Sequence, residues 1–257
     1  MADEESGSDY VWPTCWSRPR NCSGPTISIS CPTQGSPRGD LIEVAAKKSA
    51  LAQGADHRRA VPRLHPHKGR NAFLAGADMV LACHQGLYET ISPQEDPLFK
   101  PSRSTFVPSK HDANVPSVNI LPGSDVFYVD CRLLPEVSRE AVLAKAREIA
   151  ARVAQRHGVE ISVDVEHAQA ASAAPADSPV VLALEQAVER VYGVQPRPVG
   201  IGGATVAALL RRKGLPAAVW ACIQNTCHQP DERASISAAC KDAQVFAHIL
   251  MRRDAHA

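Results

Sequence analysis

Between Asp125 and Val165 the chain reads strand, helix, strand with every boundary marked, and this run restricts the fold more than any other stretch. Val126, Tyr128, Asp130 and Arg132 alternate with Phe127, Val129, Cys131 and Leu133, the period-two pattern of a strand with two distinct faces. Ser138 stands where a helix needs its cap, Val142, Ala146, Ile149 and Val153 form one stripe, and Gly158 stops the helix. Val159–Val165 then alternates as a further strand. Upstream, Asn71–Glu89 has a helical period, with Asn71 as N-cap and Phe73, Ala77, Val80, Leu81 and Leu87 on or near one stripe. Ser104–Lys110 alternates enough for a strand. Strand, helix, two strands, helix, strand makes a small open-faced sandwich with its helices on one side of the sheet. The first strand is the element the pattern does not supply, because Ala50–Pro66 is aperiodic and rich in Arg and His.

The flanking segments read differently. Residues 11–37 set Trp12, Trp16, Cys15, Cys22 and Cys31 among Pro, Ser, Arg and Thr with neither period, and Asp40–Ala45 is a short ordered fragment. Ala168–Ala176 is an Ala-rich linker. Beyond it, Asp177 or Ser178 with Pro179 starts a helix stopped by Gly193, with Val181, Leu184, Val188 and Val191 as its buried face. Gly200–Gly203 opens a helix over Thr205–Lys213, Ala217–Cys222 reads as a strand, and a last helix runs from Ser237 to Met251. That order is what the end of an α/β domain looks like. The chain therefore divides into 1–49, 50–167 and 177–257.

Composition narrows the function classes. With a formal net charge of +1 over 257 residues there is no electrostatic footprint for nucleic acid or an anionic membrane surface. No apolar run approaches the ~18 residues of a membrane-spanning helix, and the acidic start Asp3-Glu4-Glu5 is no signal peptide, which points to the cytoplasm. The eight cysteines are scattered, so most are expected as reduced thiols, with Cys83, Cys131 and Cys222 as small core residues. A zinc module on Cys15, Cys22 and Cys31 has no recognisable ligand spacing.

Several residues can carry chemistry, each beside a plainer reading. Adjacent Glu4 and Glu5 can serve a cation and its water, or form a solvated acidic N-terminus. His228, in Cys227-His228-Gln229-Pro230, follows a strand end, where α/β folds place ligands; a lone His there is also often structural. Gly200-Ile201-Gly202-Gly203 can bring backbone N–H groups to an anion, although no dinucleotide fingerprint is complete. His65 and His67 are either a metal pair or a loop. Arg132 can hold a substrate carboxylate bidentately, and an ion pair with Asp130 or another acid uses it equally well.

Taken together, Ala2-Asp3-Glu4-Glu5-Ser6-Gly7-Ser8, Gly39–Ala45, Pro66–Phe73, Asn119-Ile120-Leu121-Pro122-Gly123, Asp130-Cys131-Arg132, Gly200–Gly203 and His228–Glu232 resemble the acetylornithine deacetylase, succinyl-diaminopimelate desuccinylase and aminoacylase family of di-zinc metallohydrolases. The similarity is continuous from His67 to about Arg252. It implies an α/β fold, with a partial zinc-exopeptidase-like catalytic domain and an inserted α+β, ferredoxin-like lid that also forms a homodimer contact. It implies two zinc or cobalt ions, and an N-acyl amino acid or small peptide as substrate. Residue by residue, Glu4 is the general base, Glu5 a ligand of one metal and His228 a ligand of the other. Asn119 and Arg132 hold the substrate carboxylate or oxyanion, and Gly202 and Gly203 line the pocket.

The departures from the family pattern are specific. The first metal-binding His and the bridging Asp fall upstream of Met1, a further carboxylate ligand falls on Thr33, and the lid histidine falls near Pro62. A hydroxyl and a proline cannot replace an anionic ligand and an oxyanion donor. Both mismatched blocks coincide with the aperiodic stretches. With permissible codon choices, Val11–Gly35 re-reads to a run ending Pro-Asn-Ala-Gly, and Ala50–Pro66 to a strand and a Cys-His-Ala-Ser-Thr-Pro turn, so we expect out-of-frame sequence there; an intact reading frame in the gene would overturn this. Two functions follow as expectations: an amide hydrolase, or a non-catalytic dimerisation module of the same ancestry.

Overall fold

The computed structural model describes residues 35–55, 61–62, 70–203, 205–226 and 229–251. The chain forms two compact units, one of Met1–Ala46, Leu98–Lys100 and Ala171–Ala257, the other of Lys47–Pro97 and Pro101–Ala170.

The second unit is the open-faced sandwich. Its elements are β2 (Lys48–Ala55), the short β3 (Val61–Pro62), α1 (Ala72–Ile91), β5 (Thr105–His111), the short β6 (Ile120–Leu121), β7 (Val126–Leu133), α2 (Arg139–His157) and β8 (Ser162–Gln169). Four strands form an antiparallel sheet in the order β5-β7-β2-β8, the ferredoxin-like arrangement. The helices pack on each other, α1 also along β5 and β7 and α2 along β8. Both caps are as the sequence indicates: Asn71 Oδ1 accepts from the Leu74 N–H at 3.2 Å, and Ser138 Oγ from the Ala141 N–H at 3.3 Å. Gly158 closes α2 at φ 63°, in the left-handed region that glycine enters without strain.

Two expectations are corrected in this unit. The aperiodic stretch from Ala50 supplies the first strand after all, since β2 pairs with β7 along all eight of its residues and lies at the centre of the sheet. Backbone hydrogen bonds to two neighbours hold a strand without a clear side-chain period, because the ladder is indifferent to side chains. On α1, the buried face is Ala72, Ala75, Gly76, Met79, Cys83 and Leu87, whereas Phe73 and Leu81 are exposed and only Leu87 of the expected stripe is buried. Small residues let the helix approach the sheet closely, so they form the contact.

Asp78 on α1 ties the two helices, taking His157 Nε2 and Arg156 Nη1, each at 2.8 Å. Its carboxyl is held below the usual carboxylate range, first by the His157 hydrogen bond and then by the Arg156 charge, against the opposing effect of burial. An acid with a depressed folded value stabilises fully above its unfolded value, and that stability is lost as pH falls through the folded value. Asp78→Asn should thus cost about 1 kcal/mol near neutral pH, and the cost should vanish below the carboxylate range in acid titrations of the unfolding midpoint.

The first unit contains β1 (Leu41–Ala46), β4 (Phe99–Lys100), β9 (Ser172–Ala173), α3 (Pro179–Tyr192), β10 (Arg197–Ile201), α4 (Ala207–Arg212) and α5 (Ile236–Leu250). Its sheet runs β4-β10-β1-β9, with β1 and β4 both parallel to β10. Val181, Leu184 and Val188 of α3 are buried as expected, while Val191 is only partly so. Trp220 is buried between Tyr192 and Phe246, edge-on to both, and its Nε1 donates to Gly39 O at 2.8 Å.

Here too the pattern misleads in places. The Ala-rich linker contains β9, which pairs antiparallel with β1. Gly200 and Ile201 end β10 rather than opening a helix, and α4 begins only at Ala207. Gly200 is required there, since a Cβ would clash with the edge of the Phe99 ring, at Cδ1, Cε1 and Cγ. Ala217–Cys222 is not a strand but an irregular segment with isolated bridges at Val219 and Cys222. Val219 is bonded to Glu43 alone, while β9 and Ala174 take the following residues of β1, so the Val219 segment makes a bridge and not a ladder. Cys83 and Cys131 are buried thiols pushed up to about 12 by desolvation, hence protonated at neutral pH, whereas Cys222 is only partly buried.

Candidate functional site

Each unit contributes residues singled out by sequence. In the sandwich unit, Arg132 lies on β7, and its Nε donates to Asp130 on the same strand at 2.9 Å. Both side chains are partly exposed, so the ion-pair reading of Arg132 holds in this structure. Asn119 is exposed at the end of the β5–β6 connection, where its N–H meets Ser117 Oγ at 3.4 Å.

That connection is anchored by Asp125, which sequence reading passed over. Asp125 is 4% exposed, and its Oδ1 accepts from Asn114 Nδ2 and pairs with His111 Nε2, both at 2.9 Å. Its Oδ2 is buried without a hydrogen-bond partner, against Gly76 of α1. The last residue of β5 and one residue of the connection are thereby held to one carboxylate just before β7.

In the other unit, Gly202 and Gly203 form the turn after β10, partly exposed, and a Cβ at Gly202 would meet nothing within 4 Å. Close behind lies a buried polar cluster that sequence analysis also missed. Glu43, 3% exposed in the middle of β1, places Oε1 2.6 Å from Arg211 Nη1, while Oε2 accepts from Thr205 Oγ1 at 2.9 Å. Arg211 fills the rest of its fork with Ala217 O at 2.8 Å through Nε and Glu43 O at 3.1 Å through Nη2. Burial pushes the Glu43 carboxyl above its usual range, and Arg211 and Thr205 oppose that rise. A signal was present: Glu43 is the one charged residue in the otherwise apolar run Leu41–Ala46.

Glu4, Glu5, His65, His67 and His228 lie outside the described residues. Among the described residues, no three His, Cys, Asp or Glu side chains come together as a set able to hold a metal ion. No helix among them is long and apolar enough to cross a membrane.

The profile of peptidase family M20/M25/M40 matches residues 2–252. An uncharacterized metallohydrolase of Methanococcus maripaludis is 30% identical over 270 residues, covering 97% of this chain and 63% of its own length. A succinyl-diaminopimelate desuccinylase of Sulfurovum is 24% identical over 218 residues, covering 85% of this chain and 56% of the relative. Among solved structures, the dipeptidase Dug1p of Saccharomyces cerevisiae superposes with a TM-score of 0.67 at 11% identity, over 82% of this chain and 55% of that one. Aminopeptidase PepT of Bacillus cereus gives 0.62 at 20% identity, over 82% and 53%. The chain thus spans somewhat over half the length of the relatives it matches.

Proposed function

Because this chain belongs to peptidase family M20/M25/M40, we propose that it serves the metal-dependent hydrolysis of amide bonds in N-acyl amino acids or small peptides. The observation that carries this reading is the family match over nearly the whole chain, from Ala2 to Arg252. In this reading Glu4 is the general base that takes the proton of the attacking water. Asn119 and Arg132 hold the substrate carboxylate or the developing oxyanion, and Gly202 and Gly203 line the pocket. Reaching the substrate means exchanging or sharing the Asp130 contact of Arg132.

Glu5 and His228 are the proposed metal donors, and zinc or cobalt suits a carboxylate and an imidazole. These donors fit such an ion in kind.

The exposed apolar residues of α1 favour a second reading, a non-catalytic dimerisation module. The sandwich unit has its complete four-stranded sheet and both helices, and α1 exposes Phe73, Leu74 and Leu81 at 51%, 56% and 70%. Apolar residues on one exposed helix suit a two-fold contact with a second copy. Metal content by mass spectrometry, hydrolysis of N-acetyl- and N-succinyl-amino acids, and sedimentation separate the two. Bound metal with turnover is the expected result for the hydrolase; a dimer with neither would replace it by the module.

A further inference from the structure

We propose that Thr205 is a positioning residue, whose hydroxyl tethers the Gly202–Gly203 turn to the buried Glu43–Arg211 pair. This rests on the reading of that turn as a pocket wall.

The geometry isolates Thr205 as the adjustable member of the cluster. Glu43 and Arg211 are locked by each other and by backbone: Arg211 uses Nε, Nη1 and Nη2 on Ala217 O, Glu43 Oε1 and Glu43 O, and Glu43 exchanges backbone hydrogen bonds with Val219. The remaining carboxylate oxygen, Oε2, accepts the Thr205 hydroxyl. Thr205 stands two residues after Gly203 and two before the first residue of α4. The glycines have no side chains with which to hold their own conformation, and the space beside Gly202 is open. One charge-assisted hydrogen bond, from the segment that follows the turn to a carboxylate fixed in the central strand, restricts where the turn can go. The donor is neutral and the acceptor ionised while Glu43 is paired with Arg211, so the tether is strongest with the ion pair intact.

Thr205→Val keeps the shape of the side chain and removes only the hydroxyl; Thr205→Ser restores it. In the full chain, hydrogen exchange followed by mass spectrometry should show amides of residues 202–206 exchanging about tenfold faster in Thr205→Val, as loss of one such bond implies. The thermal midpoint should fall only about 2–4 °C. For N-acetyl- and N-succinyl-amino acids, KM should rise about tenfold with kcat changed far less, and Thr205→Ser should return both readouts to the parent values. Unchanged exchange and KM in Thr205→Val, or no recovery in Thr205→Ser, would overturn the proposal. If the parent chain shows no turnover, the hydrolase reading fails separately, and the exchange comparison alone decides: acceleration reversed by serine upholds the tether, and its absence removes it.

Discussion

Arg211→Ala should destabilise the protein by about 3–5 kcal/mol, the usual consequence of removing one partner of a buried ion pair. The mutation strands a carboxylate that is 3% exposed and leaves Ala217 O and Glu43 O without the guanidinium. Its magnitude comes from the uncompensated charge more than from the lost attraction. Denaturant midpoints at a fixed slope measure it. The pH dependence has a definite sign. Burial already raises the Glu43 carboxyl, and Arg211 opposes the rise. Without Arg211 the folded value climbs further, so the folded state binds a proton more readily than the unfolded chain does. Stability is then recovered as pH falls toward the acid range and lost as pH rises through that raised folded value. Replacing the pair together, as Glu43→Leu with Arg211→Met, should cost far less than Arg211→Ala alone, because no charge is left buried. A loss below about 1 kcal/mol for Arg211→Ala would mean that the pair is solvated in solution.

Gly76→Ala should be the second large effect, at about 2–3 kcal/mol, although alanine favours helices over glycine by about 1 kcal/mol. The added Cβ would overlap Asp125 Oδ2 and stand 3.0 Å from Asp125 Cγ. Asp125 cannot swing away cheaply, since His111 and Asn114 hold its other oxygen and the residue is 4% exposed. The clash should therefore outweigh the propensity gain. In an Asp125→Ala background the overlap is gone, and Gly76→Ala should become neutral or stabilising. That change of sign in a double-mutant cycle identifies the contact; additive losses would show that α1 does not rest on Asp125.

The candidate site was legible unevenly, for a physical reason. Asn119, Arg132, Gly202 and Gly203 stand in short motifs that could be set in order along the chain. Asp125 and Glu43 stand in none. An acid within an apolar run announces only that its charge needs a partner. The partners of Glu43, Thr205 and Arg211, lie more than 160 residues away along the chain, a pairing that no local pattern encodes.

The sequence by itself determined the elements whose causes act within a few residues. The cap at Ser138, the stop at Gly158, the buried stripe of α2 and the alternation of β7 depend on groups within one turn or one strand. Only the tertiary structure decided β2, whose residues have no period of their own and are held by ladders to β7 and β8. It also decided the face of α1. Large apolar side chains such as Phe73 and Leu81 look like core in a sequence, but a helix lying close to a sheet buries Ala72, Ala75 and Gly76 instead. Distance of approach, not hydrophobicity alone, selects which residues are inside.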